Sequence, residues 1–328
     1  MRDRAALAEA FLQGCGWGDA ARTPLAGDAS QRRYLRLTGS GGSAVLMDAP
    51  GMGEQTRAFA RIARHLSQAG FSTPEVLAAD YQNGFLLLED FGDALFAHAI
   101  GSGSRSEMAL YRAAVDVLIR LHDLPVPGEM ARFTPKIMAE QAELVFEFYA
   151  PDTDKAQKSA FRDELETVLI RHMMGPPVLI LRDYHAENLI WLPDRCGLRR
   201  VGLLDFQDAM AGPVGYDLVS LLQDARRDVP EAVAQAMRTH FTTGIGVDPP
   251  GFSACYAALG AQRNLRILSI FARLAKVHGK SGYLDLIPRV WTHLTNALRD
   301  PALARLAEIT QSNLPAPTPD HLAQLRAP

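Results

Sequence analysis

Three short apolar runs, "VLILR" at 178–182, "LIWLP" at 189–193 and "VGLLDF" at 201–206, stand in a chain that reads mostly as helices from residue 94 onward. Runs of this length with β-branched residues are strand signals, and strands so short need partners. A loop carried on a small rigid sheet is therefore the main constraint on the fold. The simplest expectation is a hairpin of "LILR" and "LIWL" with "RDYHAEN" at its tip. That tip places Asp183 five residues before Asn188, and "LLDFQD" places Asp205 after an apolar strand. Polar groups beside buried strands must find partners or do chemistry.

The rest of the chain has two characters. Residues 20–90 read as short strands and turns: "RRYLRL", a "GSGG" turn, "SAVLMDAP", and "EVLAADYQNGFLLLED" as a hairpin with "QNG" at its bend. One helix interrupts them, "EQTRAFARIARHLSQAG", with Phe59, Ile62, Ala63 and Leu66 at helical spacing and Gly70 as its C-cap. From residue 94 long helical patterns follow, among them "EMALYRAAVDVLIRLHDL" and "IMAEQAELVFEFYA", and helices return over 215–310. The "MRDRAALAEAFLQGCGWG" start reads as an amphipathic helix without a signal-peptide core, and the Pro-rich end as a surface-laid or loose tail. The fold class is α+β with two lobes. A small antiparallel-sheet lobe covers 1–90, and a helical lobe covers 91–328 beyond a connector at Glu89, Asp90 and Phe91. A cleft between such lobes suits a nucleotide.

Charge narrows the partners. With 34 basic against 37 acidic residues and a net charge of -3, nothing favours nucleic acid. Three separated cysteines support neither a disulfide framework nor a zinc cluster, and they fit a reducing cytoplasm. No apolar run approaches the 18–20 or so residues that span a bilayer, so no membrane partner is expected. A monomer is the expected state.

Moving a phosphoryl group from ATP to a hydroxyl needs a carboxylate at the acceptor and oxygen ligands for Mg²⁺ on the phosphates. Asp183 supplies the first as catalytic base. Asn188, through its amide oxygen, and Asp205 supply the second. Spacing alone is a modest signal, and its coupling to the strand ending in "LLDF" strengthens it.

These segments resemble the aminoglycoside phosphotransferase and choline kinase branch of the protein-kinase-like fold, whose catalytic loop reads H-G-D-x-x-x-x-N. Here Leu181 and Arg182 replace the His and Gly. A closer resemblance runs through "GDASQRRYLRL", "AVLMDAP", "GFLLLEDFGD", "RDYHAENL", "LLDFQDAMAGPVGYDLVSLL" and "AQRNLRILSIFARL", in that order. Together they are similar to bacterial kinases that phosphorylate the anomeric hydroxyl of N-acetylmuramate and N-acetylglucosamine in cell-wall recycling. The resemblance implies ATP and Mg²⁺ as cofactors and a small amino sugar as partner. It also implies an adenine contact at the Glu89–Asp90–Phe91 connector and a loop-bracing role for Asp217.

Two departures need an account. Met47 stands where the third-strand Lys of most kinase-like enzymes grips the phosphates, and the "LAGDASQRRY" loop keeps only Gly27, with Ala29 and Ser30 behind it. A substitute cation is needed. By the period-2 rule Arg33 shares a strand face with Leu35 and Leu37 while Arg32 lies opposite, and Arg33 is the expected cation beside Ala29 and Ser30 at the nucleotide.

Four further residues are candidates for the acceptor. His185 and Asp208 flank the loop and the metal Asp; against them stand a loop-holding His and a helix-capping Asp. Glu143 shares a helix face with Phe146 and Tyr149, where ordinary packing competes. Tyr184 and Trp191 are expected in the core. Arg263 begins a one-sided basic stripe with Arg266, Arg273, Lys276 and Lys280 in a stretch, 251–280, that lacks Asp and Glu. That stripe is either a solvated face or, at Arg263, a contact for an anionic acceptor. The alternatives in function are phosphorylation of an aminoglycoside or other small alcohol, and a nucleotide-binding pseudokinase acting through partners. "DFQDAMAGPVGYD" runs straight into a helix with no activation loop, which argues against a peptide substrate.

Overall fold

A computed structural model describes residues 4–25 and 32–326. In chain order the elements begin with α1 (Arg4–Gly14), β1 (Ala21–Leu25), β2 (Arg33–Gly39), β3 (Gly42–Asp48), α2 (Gly53–Gln68), β4 (Val76–Asp80), β5 (Phe85–Glu89), α3 (Phe96–Gly101) and α4 (Glu107–His122). Then come α5 (Pro135–Glu143), α6 (Val145–Phe148), α7 (Lys155–His172), β6 (Val178–Ile180), β7 (Leu189–Trp191), β8 (Val201–Leu203) and β9 (Met210–Gly212). The last are α8 (Tyr216–Leu222), α9 (Glu231–Ile245), α10 (Pro249–His278), α11 (Ile287–Ala297), α12 (Ala304–Asn313) and α13 (Pro319–Gln324). Contacts divide the chain into one unit of residues 1–113 and 186–209, and a second of 114–185 and 210–328. The expected boundary near residue 90 falls elsewhere, and the contact division assigns β7 and β8 to the first unit.

The first unit is built on an antiparallel sheet in the order β1-β2-β3-β5-β4. Its outermost strand β1 carries Pro24, which an edge tolerates because no ladder hydrogen bond is asked of it. Alternation gives the sheet two different faces. Leu37, Ala44, Leu46, Phe85 and Leu87 form one, packed with Leu12, Phe11 and Leu7 of α1. Tyr34 and Met47, which are cross-strand partners, lie on the other.

The "QNG" turn is where expected. Asp80 accepts hydrogen bonds from Asn83 N (3.0 Å) and Asn83 Nδ2 (2.7 Å), and Gly84 completes the turn at φ 73°. A side chain at Gly84 would meet the carbonyl of Ala49, whose amide bonds Gly84 O at 2.9 Å.

The second unit is helical around α10. That 30-residue helix is capped by Asp248, which accepts from Gly251 N at 3.0 Å, and it ends at Gly279, φ 66°. Residues all around it are buried, which is the pattern of a core helix and explains the missing acids. The expected single helix over "IMAEQAELVFEFYA" breaks at Leu144 into α5 and α6. The Pro-rich tail is laid on the unit, with Pro315 O accepting from Tyr149 Oη at 2.9 Å and Leu314 buried. Among the described residues no helix is long and apolar enough to cross a membrane.

One expectation fails instructively. β6 does not pair with β7: it pairs with β9 in the second unit, while β7 pairs with β8 in the first. The catalytic-loop segment therefore links two separate ribbons. The strand signals identified extended segments but not partners, and β9, "MAG", carries none of the residues that mark a strand.

Gly84→Ala combines a strained φ with a backbone clash. It should destabilise the protein by roughly 1–3 kcal/mol, read as a lower urea midpoint at unchanged slope. An unchanged midpoint would contradict the turn geometry.

Candidate active site

In the second unit the chain leaves β6 and turns at once. Arg182 has φ 70°; it and Asp205 are the non-glycine residues with positive φ among those described. Bulky residues avoid this region unless their surroundings hold them there. What holds Arg182 is the first turns of α8. Asp217 accepts from Leu181 N (2.6 Å) and Arg182 N (2.8 Å), and Ser220 Oγ donates to Arg182 O (3.1 Å). Arg263 Nη2 then donates to Ser220 Oγ (2.8 Å), and its Nη1 to Gln223 O (3.4 Å). Both backbone groups of the residue before Asp183 are thus fixed by side chains. Tyr184 Oη adds an anchor to Ala114 O at 2.8 Å, and His185 is buried in the loop.

Burial pushes the Asp217 carboxyl up to about 7, and the negative charge of Asp183 acts in the same direction; the two amide donors and the charge of Arg263 oppose it. Arg263 itself is only 5% exposed. It does not open the expected stripe: Arg273, Lys276 and Lys280 are solvated, while Arg263 points inward. Glu143 is paired with Arg162 Nη1 (3.4 Å), and Phe146 and Tyr149 are core residues. This is the packing alternative for that helix face.

The first unit carries the other half of the motif. Its share begins at Ala186, three residues beyond Asp183. A 3-10 turn, Ala186–Asn188, leads into β7. Asn188 O accepts from Leu204 N (3.0 Å) just beyond the β7–β8 ladder, so Asn188 lies across from the residue preceding Asp205. Phe206 is fully buried and stacks on Phe59 of α2 at 4.8 Å, which anchors the chain immediately after Asp205. Asp205 has φ 54°. Gln207 Nε2 donates to Asp205 Oδ1 (2.9 Å) and Asp208 Oδ2 (3.3 Å), a bridging role that sequence reasoning did not assign. The donors are an amide oxygen and two carboxylates. That set fits a hard cation such as Mg²⁺ that is shared with phosphate oxygens, and among the described residues no group of three His, Cys, Asp or Glu suggests a different metal.

The cation beside Asp205 is Arg32, at 3.3 Å from Asp205 Oδ1 and 4.0 Å from Asp208 Oδ2. Arg33 is exposed. The strand face that Arg33 shares with Leu35 and Leu37 packs on α1, so Arg33 is not the expected cation. Ala29 and Ser30 lie outside the described residues. At the connector, Glu89 pairs with Arg195, Asp90 with Arg36 Nε (2.8 Å), and Arg195 stacks over Phe91 at 5.0 Å. These side chains fix the connector's shape. Trp191 lies between the guanidinium groups of Arg105 and Arg200, at 4.9 and 5.8 Å, half-buried rather than in the core.

Comparison with known proteins agrees with this architecture. Residues 21–251 match the model of the phosphotransferase enzyme family. The chain is 37% identical over 346 residues to an N-acetylmuramate/N-acetylglucosamine kinase of Caulobacter vibrioides, covering 93% of this chain and 95% of that protein. It is 35% identical to a kinase of the same description from Pseudomonas aeruginosa, covering 90% of each. Among solved structures, a choline/ethanolamine kinase family protein from Mesorhizobium loti superposes with TM-score 0.63 at 16% identity, covering 94% of this chain and 100% of that one. Aminoglycoside phosphotransferase APH(4)-Ia, solved with ADP and hygromycin B, gives 0.57 at 13% identity over 93% and 98%. The fold is protein-kinase-like, with a small antiparallel sheet and a mostly helical remainder. The chain belongs to the phosphotransferase enzyme family and is an enzyme of that class.

The raised Asp217 pKa has a signed consequence. The unfolded chain releases this proton in the ordinary carboxylate range and the folded chain near 7, so the stabilisation is full below that range and lost as pH rises through about 7. Asp217→Asn, a neutral mimic of the protonated form, should lose less stability than the wild type between pH 5 and pH 8 in urea melts. Parallel pH profiles would remove this assignment.

Proposed function

We propose that this chain is an ATP- and Mg²⁺-dependent kinase that phosphorylates the anomeric hydroxyl of an N-acetylated amino sugar, N-acetylmuramate or N-acetylglucosamine. The observation that carries the reading is likeness over nearly the whole chain to kinases of that description. The sharing of ADP by a fold relative supports ATP as donor. Use of ATP points in turn to the cytoplasm.

In this reading Asp183 orients the acceptor hydroxyl and takes its proton as the new O–P bond forms and the bond from Pγ to the bridging oxygen of ATP breaks, leaving ADP. Asn188 and Asp205 would hold Mg²⁺, with Asp208 beside them; the ion supplies charge neutralisation on the phosphates. The backbone at Glu89, Asp90 and Phe91 meets adenine. Asp217 keeps the loop in register from below, and His185 fills the loop rather than touching sugar. Catalysis of this kind is mostly positioning and preorganised charge, which is what the bracing of Arg182 supplies.

The purified protein should consume ATP with N-acetylmuramate or N-acetylglucosamine and not with aminoglycosides or choline. Asp183→Ala should lower kcat by about 10²- to 10⁴-fold with a native melting curve. Absence of turnover above that variant across the whole acceptor panel would sink the proposal.

A further inference from the structure

The missing third-strand Lys leaves a chemical gap: the phosphates carry negative charge that a protein cation must meet, and Met47 cannot do so. Met47 is buried and faces Tyr34 across the β2–β3 ladder. Alternation along β2 puts Tyr34 and Arg36 on that same face, and Arg32 immediately precedes the strand. Of these, Arg36 is committed to Asp90 and Asp93, 2.8 Å from each. Arg32 leads instead to Asp205 and Asp208. Its side chain is 11% exposed against 39% for Asp205, so it is a built-in cation rather than a solvated one. Tyr34, hydrogen-bonded to Arg32, lies between it and Met47 and steadies the guanidinium.

We propose that Arg32 is the phosphate-holding cation of this enzyme, supplied from the residue that leads into β2 and set in place by Asp205, Asp208 and Tyr34. The inference rests on the kinase reading above. A guanidinium differs from the Lys it replaces: its planar fork offers donors to two acceptors at once. Arg32 thereby serves a carboxylate and a phosphate together, so the metal carboxylate and the donor phosphates share one cation. The move to the residue before β2 also explains why a buried Met is tolerated on β3.

The test separates phosphate contact from mere support of Asp205. Calorimetric titrations with ATP, ADP and adenosine, each with Mg²⁺ and again with EDTA in its place, are made on wild type, Arg32→Ala, Arg32→Lys and Arg33→Ala. A loss for ATP that vanishes in EDTA assigns Arg32 to support of Asp205 alone and overturns the phosphate contact. Arg32→Ala should weaken ATP and ADP by about tenfold or more, the loss of one charge-assisted hydrogen bond, while adenosine binds within about twofold of wild type. Arg32→Lys should recover part of the loss, and Arg33→Ala should match wild type. Thermal melts confirm that each variant is folded. In an Arg32→Ala background, Met47→Lys should restore ATP affinity if it folds. Equal weakening of ATP and adenosine, or unchanged ATP affinity in Arg32→Ala, overturns the assignment. A wild type that binds neither ATP nor adenosine overturns the kinase reading itself.

Discussion

The carboxylate of Asp217 holds in place the turn that leads into Asp183. It accepts the amides of Leu181 and Arg182 from inside the helical unit, where no water competes for them. A left-handed bulky residue costs on the order of 1–3 kcal/mol. A net hydrogen bond contributes about 0.5–1.5 kcal/mol, so the two to Asp217 and the one from Ser220 to the carbonyl together match the strain of Arg182. Without that balance the chain would relax after β6, and Asp183 would lose its direction. The brace has a requirement of its own. A buried carboxylate needs nearby positive charge or a proton, and Asp217 draws on both, through Arg263 and its raised pKa.

The same local solution occurs twice. β6 is followed within two residues by Arg182, and β8 within two by Asp205, the two left-handed non-glycine residues among those described. Each turn follows a three-residue strand that is paired to a different partner, β9 or β8's neighbour β7. Short rigid ladders ending in strained turns aim side chains more sharply than a flexible hairpin tip would. Two independent ladders also fix Asp183 and the Asn188–Asp205 pair separately, each within its own unit.

Much of this was legible in the sequence. The positions of Asp183, Asn188 and Asp205, the strands bearing them and α2 follow from motif spacing and period, and the role of Asp217 from the family resemblance. What was not legible follows from the limits of those signals. Periodicity marks a segment as extended but is silent on pairing, so β6 was matched to β7 when its partner was "MAG". Alternation sorts β2 into two faces but cannot say which one meets the site. Leu35 and Leu37 drew the choice to Arg33, yet they face α1, and the cation beside Asp205 is Arg32, immediately before the strand. Ser220 and Gln207 are ordinary polar residues in sequence, and only their hydrogen bonds show what they hold.

Arg263 shows how charge composition can point at the right residue for the wrong reason. The acid-free stretch around it suggests either a solvated basic face or an acceptor contact at Arg263; its far cations Arg273, Lys276 and Lys280 are solvated, while the part of α10 around Arg263 is buried. A lone guanidinium inside such a helix would be untenable without counter-charge. Here its neighbours are Asp183, Asp224 and, through Asp217, the loop brace. The charges felt by Arg263 are of both signs, Asp183 and Asp224 against Arg266. Arg263 is thereby committed within the second unit, to Ser220, Gln223 and the carboxylates around it. The cation beside Asp205 belongs instead to the first unit, at Arg32 immediately before β2, where alternation along the strand could not assign it.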